Sequence, residues 1–174
     1  MIQVQVGELA KARAGALIRP VDTEFAPVTA AMRRFDEAAG PAVAEQCTRL
    51  GELPLASAVI TAAGALPAQF VVHVAVRSRT ENATAGVVRR GLRNALHRLV
   101  DWDIREVALV PLGTGAGNLD AEESAAVMVP ILRDHMRELG APTAVTIVVE
   151  DEYQRSAFEA ALTRDGGEPT GTGA

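Results

Sequence analysis

The chain has 174 residues, a length that fits one domain, and 48% of them are hydrophobic while only 3% are aromatic. That apolar content excludes disorder along the whole chain and calls for a core of Ala, Val and Leu. The net charge of −5, with sixteen arginines and the single lysine Lys11 against 22 acidic residues, argues against nucleic acid as a partner, because such binding needs a clustered positive surface.

In chain order, residues 2–6 alternate as Ile-Gln-Val-Gln-Val and predict a strand. They hold no basic region leading into an apolar stretch, so no export signal is expected and the cytoplasm is the expected location. Residues 16–21 form a short apolar run and a second strand. Val28, Met32, Phe35 and Ala39 recur at helical spacing over residues 27–39, and Gly40-Pro41 breaks that helix. Pro41 suits the first turn of another helix, ending near Leu50-Gly51. It contains Cys47, which has no internal disulfide partner and is expected to be a small core residue rather than a nucleophile.

Residues 58–61 and 70–76 predict strands, and the second is far too short to cross a membrane. Residues 83–102 predict a long helix with Val88, Leu92, Ala95, Leu96 and Leu99 on its apolar face. Its arginines, Arg89, Arg90, Arg93 and Arg98, then fall on the solvent side. A buried strand over residues 106–110 follows. Next come a helix over residues 121–139 kinked or broken by Pro130, Gly140 as its terminator, a strand over residues 145–149 and a helix over residues 151–163. The polar tail, residues 164–174, is expected to be disordered. Strands alternating with helices through the second half predict a parallel or mixed sheet covered on both faces.

The sharpest local signal is Pro111-Leu112-Gly113-Thr114-Gly115-Ala116-Gly117-Asn118, between a buried strand and a helix. Its glycines allow a sharp turn and close approach of a ligand to backbone. Successive N–H groups beside a helix N-terminus form an anion site. No Lys-Ser or Lys-Thr follows, so this is not a Walker A loop, and the glycine spacing is not that of the dinucleotide fingerprint. The plainer reading is a strand-to-helix connection with Asp120 as N-cap and Glu123 completing a capping box. The two readings are compatible.

The segment Pro111-Leu112-Gly113-Thr114-Gly115 resembles the second ligand loop of macro domains, and the resemblance extends over most of residues 1–163. Gly7-Glu8-Leu9 resembles the family's Gly-Asp-Ile turn, and Ala38-Ala39-Gly40 with Glu45-Gln46-Cys47 resembles its Ala-Ala-Gly helix end and Glu-Cys pair. Residues 58–61, 66–68 and 70–76 resemble the run through its central strands, with His73 at a structural position. The resemblance implies a three-layer sandwich, a mixed central sheet between helices, binding ADP-ribose, a related nucleotide diphosphate or an ADP-ribosylated protein in a cleft above the strand ends. No metal and no resident cofactor are expected. The implied ligand-binding residues are Glu8, Leu9, Arg19, Asp22, Gly113, Thr114, Gly115, Ala116, Gly117, Asn118 and Glu150.

Departures from the family pattern bear on activity. The family's Asn-Ala-Ala-Asn stretch is matched by Arg19-Pro20-Val21-Asp22, which puts Asp22 where the last asparagine positions the distal ribose. No glycine occurs over residues 16–39, so the first phosphate loop is expected to be shortened or absent. Asp22, Glu24, Asp120, Glu150 and Asp151 are expected to form an acidic rim, with Arg19 paired to Asp22. Three readings stay open at this point: a binder using the second loop with weak or no hydrolase activity, a divergent ADP-ribosyl hydrolase with Asp22 as general base, and a ligand-free scaffold acting through protein contacts.

Overall fold

The computed structural model describes residues 1–115 and 118–166, with Asp165 described by its backbone alone. Six strands, β1 (Ile2–Val6), β2 (Ala14–Asp22), β3 (Ala58–Ala62), β4 (Ala68–Arg77), β5 (Glu106–Leu109) and β6 (Ala144–Val149), form one sheet in the order β1-β6-β5-β2-β4-β3. Only β3 runs antiparallel to its neighbour, so the sheet is mixed. The helices are α1 (Ala30–Ala39), α2 (Pro41–Leu50), α3 (Ala85–Asp101), α4 (Ala121–Leu139) and α5 (Glu152–Gly166).

Adjacent residues of a strand point to opposite faces, and β4 shows which helices lie where. His73 reaches Cys47 of α2, while the Val74 side chain lies under Gly91 of α3. α1 packs beside α2, and α4 lies between α3 and α5. The result is the expected three-layer α/β sandwich. Leu17, Ile18, Val71 and Val72 in the neighbouring interior strands β2 and β4 are fully buried, as strands covered on both faces require. Pairing of β5 with β2 stops at Ile18, two residues before Pro20, so the proline's missing N–H breaks no ladder on that side.

The element boundaries follow local chemistry. Thr29 caps α1 by accepting the Met32 N–H at 3.1 Å, and Pro41 occupies the first turn of α2. Asp120 and Glu123 form the expected capping box of α4, and Gly140 ends that helix in the left-handed conformation. Pro130 does not break α4. The last helix continues to Gly166, so residues 164–166 are helical rather than part of a loose tail; the rest of the expected tail lies outside the described residues.

Candidate functional site

Above the carboxyl ends of β1, β5 and β6, where ligands of open α/β sheets bind, lies a cleft of about 670 Å³. One wall is the turn after β1, where Glu8 and Leu9 lead into the short 3-10 turn Leu9–Lys11. The opposite wall is Val110, Pro111 and Thr114 after β5, and Glu150 closes the end after β6. α1 covers the cleft with Thr29, Met32, Arg34 and Phe35. Glu8 accepts from Lys11 at 2.7 Å and from Arg34 at 3.2 Å. The hydrogen bond and charge of Lys11, then those of Arg34, hold the exposed Glu8 carboxyl below its usual range.

The glycine loop is anchored from below. Ser124 of α4 donates to the Leu112 carbonyl at 2.8 Å, and the Leu112 N–H reaches the Met128 sulfur at 3.2 Å. Gly113 and Gly115 have φ of 83° and 73°, which only glycine adopts without strain. Gly115 lies directly beneath Thr29, whose Cγ2 would stand 2.6 Å from a Cβ placed there. The Leu119 N–H donates to the Gly113 carbonyl at 3.1 Å, but the N–H groups of Gly113, Thr114 and Gly115 have no backbone acceptor among the described residues.

The sequence-derived set divides accordingly. Glu8, Leu9, Thr114 and Glu150 border the cleft. Gly113, Gly115 and Asn118 border a neighbouring space of only about 10 Å³, and Ala116 and Gly117 lie outside the described residues. Lys11, Thr29 and Arg34 were not foreseen. Arg34 shows no motif, and its role follows from α1 turning its exposed edge toward the 3-10 turn.

Two expectations need correcting. Arg19 does not pair with Asp22. It is 2% exposed, its Nη1 donates to Asp36 of α1, and its Nε donates to His73 Nδ1 at 3.0 Å. The Phe35 ring lies 5.3 Å from its guanidinium carbon. Helix register put the carboxylate of α1 nearer than Asp22. Asp22 instead closes a tight turn, accepting the N–H groups of Glu24 at 2.8 Å and Ala26 at 2.9 Å. That turn stands in place of a glycine-rich first loop and brings Pro27 back onto Val21.

The acidic rim is also smaller than expected. Of its five members only Glu150 borders the cleft, joined by Glu8 and by Glu37. Glu24 pairs with Arg79 at 2.8 Å, Asp120 caps α4, and Asp151 accepts the Gln154 N–H at 2.8 Å.

His73 and Cys47 are 3.9 Å apart, which raises the question of a nucleophile and its base. The hydrogen bonds answer it. His73 Nδ1 accepts from Arg19, so the proton of the neutral ring is on Nε2, which donates to Thr61 Oγ1 at 2.9 Å. Thr61 passes its own proton to the Ala62 carbonyl at 3.0 Å. No lone pair is left to deprotonate Cys47, and burial raises its thiol pKa against the opposing Arg19 charge. Burial, and secondarily Arg19, drives His73 well below the ordinary histidine range. Both residues are structural.

No group of three or more His, Cys, Asp or Glu among the described residues is placed to hold a metal, and none of their helices is long and apolar enough to cross a membrane. The fold is an α/β sandwich with a cleft above its strand ends. A macro domain family model matches residues 26–128, more than half of the chain. The chain belongs to the macro domain family.

It is 25% identical over 161 residues to an uncharacterized protein of Mycobacterium tuberculosis, a match covering 92% of this chain but 44% of that protein. The chain thus spans less than half the length of that relative. An O-acetyl-ADP-ribose deacetylase of Citrobacter koseri is 27% identical, with 96% and 98% of the two chains covered. The fold resembles that of a Trypanosoma brucei macrodomain solved in complex with ADP-ribose, with a TM-score of 0.84 at 15% identity over 92% of this chain and 68% of that one.

Proposed function

We propose that the chain binds ADP-ribose or a related nucleotide diphosphate in the cleft, with weak or absent hydrolase activity. The carrying observation is that the Glu8-Leu9 turn and Thr114 line facing walls of one cleft large enough for a nucleotide. Glu8 and Glu150 accept hydrogen bonds and repel phosphate, so the base and its ribose belong at that end. The diphosphate belongs beside Thr114, whose N–H has no backbone acceptor among the described residues. Charge-assisted bonds to backbone N–H groups are worth about 1.5–3 kcal/mol each. A few such bonds, opposed by the cleft carboxylates, suit micromolar rather than nanomolar affinity.

Weak hydrolysis follows from Asp22, whose carboxylate is engaged by two backbone N–H groups and which does not border the cleft. A general base must reach the water it activates. Calorimetric titration with ADP-ribose and with ADP tests binding, and absence of heat and of thermal stabilisation with both overturns it. Because one relative is a deacetylase, acetate release from O-acetyl-ADP-ribose tests the second half. Turnover that is robust, and lost in Asp22→Ala, would restore Asp22 as a catalyst.

A further inference from the structure

The cleft ends abruptly at its phosphate side. Thr114 borders both the 670 Å³ cleft and the adjoining 10 Å³ space, whereas Thr29 borders only the first and Gly115 only the second. The close approach of Thr29 to Gly115, where an added Cβ would stand 2.6 Å from Thr29 Cγ2, is therefore the partition between them. Beyond it, Val28, Val76, Arg77 and Asn82 enclose no more room than one water occupies. The partition is held from both sides. Thr29 is fixed as the N-cap of α1, and the segment leading to Gly115 is tied to α4 through Leu112.

We infer that Thr29 sets ligand specificity, favouring nucleotides that end at the diphosphate over those, such as ADP-ribose, with a further sugar beyond it. This rests on the proposed function, which places the phosphates beside Thr114. A terminal phosphate stops at the partition beside Thr114, the loop residue that borders the cleft. A second sugar has to displace the Thr29–Gly115 contact before it finds space.

The test is calorimetric titration of the wild-type chain, Thr29→Ser and Thr29→Gly with ADP and with ADP-ribose. Serine keeps the capping oxygen and removes only Cγ2. Glycine removes the whole side chain yet is tolerated at an N-cap, and thermal melts of the variants establish that they fold. The wild type is expected to bind ADP about tenfold more tightly than ADP-ribose. The variants should narrow that gap by strengthening ADP-ribose, glycine more than serine, with ADP little changed. Equal or tighter ADP-ribose binding by the wild type overturns the inference and leaves the proposed function standing. An unchanged gap in both folded variants overturns the role of Thr29, and failure of both ligands to bind overturns the proposed function and this inference with it.

Discussion

His73 sits fully buried between Arg19 and Thr61, a setting that admits only the neutral ring. The unfolded chain takes up a proton there near the ordinary value of 6.5, and the folded chain does so only well below it. Stability from this residue is therefore complete above about pH 6.5 and is lost as pH falls toward the depressed value, by up to about 1.4 kcal/mol per pH unit. His135, lowered chiefly by burial and next by His97, acts in the same sense. Asp36, raised by burial against the pull of Arg19, gains stability as pH falls through its folded pKa and offsets part of the loss at the acid end. Urea unfolding at about pH 7.5 and 5.5 should show the loss, and His73→Gln should shrink it; an undiminished loss in that variant would assign it elsewhere. Replacing Arg19 by Met strands Asp36 and leaves His73 Nδ1 without its donor. The cost should be about 2–3 kcal/mol in the same assay, below the 3–5 typical of a fully buried pair, because Asp36 keeps some contact with water. The resemblance to the family's central strands marked His73 as structural. It could not mark the partner of Arg19, because that depends on how α1 is rotated over the sheet.

Among the elements, helices and strands were readable nearly to the residue wherever capping chemistry accompanied the hydrophobic period. Asp120, Glu123 and Gly140 bound α4 as their side chains demand, and Ile2–Val6 alternates as a strand should. The start of α1 was legible less well. Residues 27–29 share its apolar spacing, but Pro27 pairs with Val21 and Thr29 is the cap. Gly91, mid-helix in α3, carried no signal at all. Its importance lies in the approach of α3 to β4, where a Cβ would stand 2.7 Å from Val74 Cγ1. Gly91→Ala improves helix propensity by up to about 1 kcal/mol, yet Val74 is fully buried and stiff at χ1, so it cannot yield. Overpacking of this kind costs about 1–3 kcal/mol, and the net effect should be a lower urea midpoint. In Gly91→Ala with Val74→Ala the loss should be smaller than the sum of the two single losses. Strict additivity would mean that the two sites do not touch.

At the scale of the whole molecule, the cleft was foreseeable and its charge was not. Glycines after a buried strand locate a loop at the strand ends, but which acidic residues border the space depends on turns that each satisfy a carboxylate locally, as Asp22, Asp120 and Asp151 do. Two cations, Lys11 and Arg34, and three carboxylates, Glu8, Glu37 and Glu150, remain at the cleft, a local balance of −1 on a chain of −5. Both cations are already engaged by Glu8, so an incoming diphosphate meets net repulsion from the cleft and from the chain behind it. Screening reduces that repulsion, since the Debye length falls from about 30 Å at 0.01 M ionic strength to about 8 Å at 0.15 M. Affinity for ADP should therefore rise with salt over this range, the reverse of the usual behaviour for an anion on a basic site. Glu150→Gln should strengthen binding most at low salt and flatten the dependence, whereas Glu24→Gln, far from the cleft and paired with Arg79, should do neither. Titrations at the two ionic strengths decide the matter. An affinity that falls as salt is added would mean that Lys11 and Arg34 leave Glu8 for the phosphates and govern the site.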